Sequence, residues 1–223
     1  MLADTLSETL QHLENAAKAA HRPTPALLAV SKLQPASAAA ELARAGQRAF
    51  GENYVQEAQA KIGELAGMDL EWHLIGHLQS NKAELAAHLF DWVQTVDRHK
   101  LIGALSRYRP ADRAPLNVLV QVNIDDEASK HGCRPDEVAG LAEAIAAEPR
   151  LRLRGLMAIP APHPDTARRI DAFRRMQALQ DQLAAKHPGV DTLSMGMSED
   201  YALAVAHGAT MVRIGTALFG ARP

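Results

Sequence analysis

The sequence repeats one rhythm from end to end: a short apolar segment, a polar turn, then an amphipathic helix. Strands separated by helices cannot pair as tight hairpins. They run parallel, and a parallel sheet must be covered on its faces. Eight segments read as strands: Ala26 to Ser31, Arg48 to Gly51, Glu71 to Ile75, Trp92 to Val96, Leu116 to Asn123, Leu153 to Ile159, Thr192 to Met195 and Met211 to Gly215. The helices between them carry end signals. Pro35 stands in a first turn with Gly46 beyond the last, Asn53 and Gln56 have capping-box spacing, and Pro135 opens a helix over Asp136 to Ala147. From Asp165 to Lys186 the 3.6-residue period runs through Ile170, Phe173, Met176, Leu179 and Leu183, against a polar face with Arg168, Arg175 and Asp181. Ahead of the first strand, Leu2, Leu6, Leu10 and Leu13 form one stripe of an extra helix within residues 1–20. The expected fold is therefore α/β: a single (β/α)8 TIM barrel over residues 1–223, with an N-terminal helix packed on it. An open doubly wound sheet is the competing arrangement, but no turn carries the glycine fingerprint of a dinucleotide site, and the clustered glycines come late.

A chain of 223 residues suits one such barrel and leaves little for a second large domain. Charged residues make up 22% and the formal net charge is -2, with both signs interspersed. That pattern offers no basic footprint for nucleic acid or an anionic membrane, and a small-molecule partner fits better. The N-terminus lacks the basic start and apolar core of a signal peptide, and no apolar run is long enough to span a bilayer, so the expected location is the cytoplasm. Cys133 is the only cysteine, which excludes an internal disulfide, and it reads as a structural thiol.

In a barrel, reacting groups gather at the carboxyl ends of the strands, and phosphate docks in the loops after the last two. Lys32 follows the first strand and so stands on that rim. An amine that loses solvation there becomes a neutral nucleophile able to form a Schiff base with an aldehyde; a solvated lysine at a strand end is the alternative. After the seventh strand, Ser198 is the expected N-cap of a helix ending at His207-Gly208. Its N–H groups and dipole would attract phosphate, with Gly196 allowing close approach, although capping alone explains the same residues. The second donor set is Gly215 and Thr216 after the eighth strand. Arg213 lies two residues before Gly215, shares its face and points into the barrel mouth, to meet either a ligand or a carboxylate beneath it.

Six motifs together resemble a known family. They are Ala29-Val30-Ser31-Lys32; Phe50 to Glu57, reading FGENYVQE; Trp72 to Lys82, reading WHLIGHLQSNK; Val122-Asn123-Ile124; Arg154 to Pro160, reading RGLMAIP; and Leu193 to Ser198 with Val212 to Thr216. In order and without a large gap from about Ala26 to Arg222, they are similar to the YggS/PROSC family, the pyridoxal phosphate homeostasis proteins. The resemblance implies a barrel like that of alanine racemase, binding pyridoxal 5′-phosphate without established catalysis. It makes Lys32 the Schiff-base lysine and places Arg213 on the pyridine nitrogen, Ser198, Gly215 and Thr216 on the phosphate, and Asn53 and Met195 near the ring, Met195 by packing. Asn53 also reads as the N-cap of the helix through Ala58, Ile62 and Leu65. An arginine there keeps its proton and leaves the ring nitrogen unprotonated, which makes the ring a poor electron sink. Lys130, in Glu127-Ala128-Ser129-Lys130-His131-Gly132, matches a lysine proposed to act in cofactor handling.

The implied function is a monomeric carrier that buffers the cofactor and passes it to pyridoxal-phosphate-dependent apoenzymes, with no residue in a catalytic role. The alternative is an alanine-type racemase, which requires acid/base groups on both faces of the ring. In the related racemase a tyrosine of the partner subunit serves the second face and the assembly includes a further β domain, for which this chain has no room. His77 stands where some relatives have proline. His73 and His77 flank a strand and its turn with no third ligand in view, so no metal site is expected.

Overall fold

The computed structural model describes residues 1–127 and 130–220. Residues 128–129, in the loop read around Lys130, and residues 221–223, at the end of the matched stretch, lie outside the described residues. The eight parallel strands are β1 Ala26–Val30, β2 Ala49–Glu52, β3 Glu71–Leu74, β4 Trp92–Val96, β5 Leu116–Val122, β6 Leu151–Ala158, β7 Thr192–Ser194 and β8 Met211–Ile214. They close into a barrel in chain order. Closure is made by β1 on β8, with Leu28 beside Arg213 and Ala29 beside Ile214. Closure leaves no sheet edge and excludes the open-sheet alternative.

The helices are α1 Leu2–Ala19, α2 Ala36–Arg44, α3 Val55–Glu64, α4 Ala83–Leu89, α5 His99–Tyr108, α6 Val138–Ala146, α7 Thr166–Lys186, α8 Tyr201–Ala206 and α9 Thr216–Phe219. Helix α1 packs on α2, α8 and α9. Its buried residues are Leu6, Thr9, Leu13 and Ala17. Leu10, at the margin of that stripe, is 45% exposed, so the expected leucine stripe is corrected at this position. Pro35 is the N-cap of α2, one residue outside its expected first turn. Pro135 opens a 3-10 turn, Pro135–Glu137, that leads into α6. Two expected caps are also corrected. Tyr54 caps α3 in place of Asn53, and Asp200 caps α8 in place of Ser198. In each case the chain runs one or two residues further along the rim before it turns helical, which leaves Asn53 and Ser198 at the mouth.

Two apolar regions sit on opposite faces of the sheet. The larger lies between strands and helices, and a smaller cluster of Trp92, Leu119 and Met157 stands apart from it. At the floor, β6 carries a bulge: Leu153 pairs with Val118 and Gly155 with Leu119, so Arg154 has no partner opposite. Gly155 has φ 144, and a Cβ there would lie 1.9 Å from the Thr192 carbonyl oxygen. Only glycine lets β6 and β7 approach so closely. No helix among the described residues is long and apolar enough to cross a membrane.

Candidate cofactor site

At the carboxyl end of the barrel lies a cavity of about 660 Å³. Six of the seven expected cofactor-binding residues line it: Lys32 after β1, Asn53 after β2, Arg213 on β8, Ser198 after β7, and Gly215 and Thr216 after β8. Met195 does not. It is fully buried in the main core. Ser194 points into the barrel, so the alternation of side chains turns Met195 toward the helices, and Met197, two residues on, lines the cavity instead. The remaining wall was missed in the sequence. It includes the segment after β6, with Ile159, Pro160, Pro162, His163 and Pro164, and Arg169 from the first turns of α7. A proline-rich run after a strand was the available signal.

Arg213 is 4% exposed. Its Nη1 donates to Ser194 Oγ at 2.8 Å and its Nη2 to the Ala158 carbonyl at 2.8 Å. Among the described residues no carboxylate makes an ion pair with it, so the paired-arginine alternative does not hold. Burial lowers its pKa to about 10, which leaves it cationic at neutral pH.

From Arg213 a hydrogen-bond chain crosses the barrel. Ser194 Oγ donates to Gln94 Oε1 at 2.7 Å, Gln94 Nε2 donates to His73 Nδ1 at 2.9 Å, and His73 Nε2 donates to Glu71 Oε1 at 2.8 Å. Strands β4 and β7 are not neighbours, so Gln94 and Ser194 can meet only through the interior. The donor sense follows from chemistry: arginine cannot accept, so Ser194 must pass its own hydrogen onward, which fixes the Gln94 amide and then the His73 tautomer. His73 is fully buried and stacks on Trp92, with ring centroids 5.0 Å apart. Burial pushes its pKa down, whereas Glu71, hydrogen-bonded to it, is held below the ordinary carboxylate range.

Lys32 sits two residues past the end of β1 and is partly buried. Ser31 and Glu52 beside it are both fully buried. The apolar stripe of α3 expected through Ala58, Ile62 and Leu65 differs in the structure: Lys61 is buried on it and Ile62 is only partly covered. A lysine three residues after Ala58 was the signal. Gly76 sets the position of Asn53: a Cβ on Gly76 would stand 2.0 Å from the Asn53 carbonyl oxygen. His77 stacks on His131 with centroids 3.7 Å apart, away from His73. Lys130 pairs with Glu127 at 3.3 Å and does not line the cavity. Burial raises the Cys133 thiol to about 12, so it stays protonated.

These groups fit pyridoxal phosphate. An amine stands at the rim, Arg213 presents to the mouth a cationic donor that makes no ion pair among the described residues, and Ser198, Gly215 and Thr216 form a small-residue and hydroxyl end, with Glu199 and Asp200 also on the wall. The buried Arg169 Nε has no hydrogen-bond partner, a donor suited to an anionic ligand. A Cβ on Gly215 would come within 3.2 Å of the Val30 carbonyl, so a side chain there would crowd the cradle.

The fold and this rim define a class, and the comparisons give the same one. The family described as alanine racemase, N-terminal domain, matches residues 5–223. The chain is 56% identical over 199 residues to the pyridoxal phosphate homeostasis protein of Escherichia coli K12, covering 88% of this chain and 85% of that one. It is 52% identical over 223 residues to the protein of the same name from Pseudomonas aeruginosa, covering 99% and 96%. Among solved structures, PipY of Synechococcus elongatus with pyridoxal phosphate bound superposes with a TM-score of 0.85 at 38% identity, covering 99% and 100%. Alanine racemase from Corynebacterium glutamicum shares the fold, with a TM-score of 0.70 at 22% identity, covering 99% of this chain and 62% of that one. The chain belongs to the pyridoxal phosphate homeostasis protein family.

Proposed function

We propose that this protein binds pyridoxal 5′-phosphate in the rim cavity and holds it reversibly, as a buffer and carrier that passes the cofactor to apoenzymes without turning over a substrate. The observation that carries this reading is the convergence of Lys32, Arg213 and the Ser198, Gly215 and Thr216 end on one cavity. Bound there, the cofactor supplies an aldehyde carbon that condenses with a primary amine, releasing one water. Lys32 provides that amine, Arg213 donates a hydrogen bond to the ring nitrogen and withholds a proton from it, and Ser198, Gly215 and Thr216 hold the phosphate. Asn53 closes the wall beside the ring. Met195 supports the site from the core and does not touch the ring. Lys130 acts outside the cavity, in cofactor transfer. The protein works as a monomer in the cytoplasm.

The racemase alternative finds no support at the site. Among the described residues no tyrosine lines this cavity; Tyr54, 60% exposed, faces the neighbouring depression that holds His77 and His131. The test is the absorbance spectrum of cofactor-loaded protein before and after borohydride, with Lys32→Ala alongside. A reducible adduct mapping to Lys32 is expected. A wild-type protein with no such adduct overturns the covalent reading. Exchange of the α-proton of an amino acid for deuterium would restore the racemase.

A further inference from the structure

Lys32 lies between two backbone groups tied to one buried ionic cluster. Lys61 Nζ donates to Glu52 Oε1 at 2.5 Å and to the Ser31 carbonyl at 2.7 Å. Ser31 Oγ donates to the same Glu52 oxygen at 2.6 Å. On the other side, the Leu33 N–H donates to Glu57 Oε1 at 2.5 Å, and that carboxylate oxygen lies 3.7 Å from Lys61 Nζ. The residues immediately before and after Lys32 are thus fastened to a single ammonium held by Glu52 and Glu57.

Two observations say that this cluster does more than join β2 to α3. Glu52 is fully buried, Lys61 is 4% exposed, and Glu52 Oε2 has no hydrogen-bond partner. Burying such a pair costs desolvation that its attraction does not reliably repay, and an apolar pair of similar volume would join the two elements as well or better. Second, Leu33 has φ 62 and is 52% exposed, a left-handed conformation unfavourable for leucine that persists only where its surroundings impose it. An apolar pair could join strand to helix, but it could not grip the Ser31 carbonyl or the Leu33 amide.

We propose that Glu52, Lys61 and Glu57 are positioning residues that lock the backbone on both sides of Lys32, so that its amine meets the cofactor aldehyde in the reactive orientation. The inference rests on Lys32 being the covalent anchor. A shift of about 1 Å in a reacting group can cost about 100-fold, so release of either clamp should be felt at the bond to Lys32 and hardly at all at the phosphate end.

The test compares the affinity of the full chain for pyridoxal phosphate and for pyridoxine 5′-phosphate, which keeps the ring and phosphate but has an alcohol where the aldehyde stands. The ratio of the two measures what Lys32 adds. Glu57→Ala is expected to reduce pyridoxal phosphate affinity by about tenfold or more and to leave pyridoxine phosphate within about twofold. Glu57→Gln, which keeps an acceptor for Leu33, should restore most of the ratio. Lys61→Met should behave like Glu57→Ala; because its partner is buried and the variant can fail to fold, the partly exposed Glu57 carries the decision. Equal losses for both ligands, or no loss for either, overturn the clamp. A wild-type ratio near one, unchanged in Lys32→Ala, overturns the anchor itself and the clamp with it.

Discussion

A guanidinium with no ion pair among the described residues is an unusual thing to find at 4% exposure, and at Arg213 neutral oxygens make the hydrogen bonds while Asp200 acts only at longer range. Fixed at Nη1 and Nη2, it keeps one orientation toward the mouth. On the proposed contact with the ring nitrogen, Arg213→Leu should remove a charge-assisted hydrogen bond worth about 1.5–3 kcal/mol, so pyridoxal phosphate should bind about 10- to 100-fold more weakly, and the proposed adduct at Lys32 should still form; fluorescence titration and borohydride trapping read the two parts separately. At this scale the sequence was informative wherever a side chain's position follows from a strand end. Lys32, Gly215 and Thr216 were found that way, and Arg213 by its register with Gly215. Met195 was misplaced because the alternation of β7 had to be counted from Ser194, whose inward direction shows only in its bonds to Gln94 and Arg213. Lys61 was missed because a buried lysine makes sense only beside its partners.

Among elements, β6 is the one whose local geometry is least forgiving. Its bulge turns Arg154 so that the guanidinium lies 4.7 Å from the Trp92 ring and bonds Asp191. Gly155→Ala would drive a methyl group into the Thr192 carbonyl from a positive φ, and it should destabilise the protein by about 1–3 kcal/mol. Urea denaturation would register this as a lower midpoint, whereas cofactor affinity of the folded protein, read at the opposite rim, should stay unchanged. The elements themselves were legible, since all eight strands and the long helix α7 announce themselves by periodicity. The starts of α3 and α8 were not. Asn53 and Ser198 are good capping residues by type, and sequence cannot tell that Tyr54 and Asp200 take that position while the better candidates stay at the mouth.

Across the whole molecule, the barrel interior sets a pH dependence. His73 binds a proton less readily when folded than its ordinary value of 6.5 allows. The unfolded chain therefore takes up more protons below that value, so the contribution of His73 is complete above it and shrinks as the pH falls through it. Between about pH 7.5 and about pH 5.5 the urea midpoint should drop, and in His73→Gln the drop should be smaller. His77 and His207, also pushed down, are common to both proteins and cancel in the comparison. Closure of the barrel was readable from eight strand-helix units; the polar chain inside it was not, because its central link, between Gln94 on β4 and Ser194 on β7, spans strands that meet only across the closed interior. That chain has one more consequence. A proton can hop along such a row only if every member can turn round, and the guanidinium at its upper end can never become an acceptor. The barrel core is therefore a proton insulator: acid arriving at Glu71 goes no further than His73, and Arg213 at the mouth is sealed off from the solvent at the barrel floor.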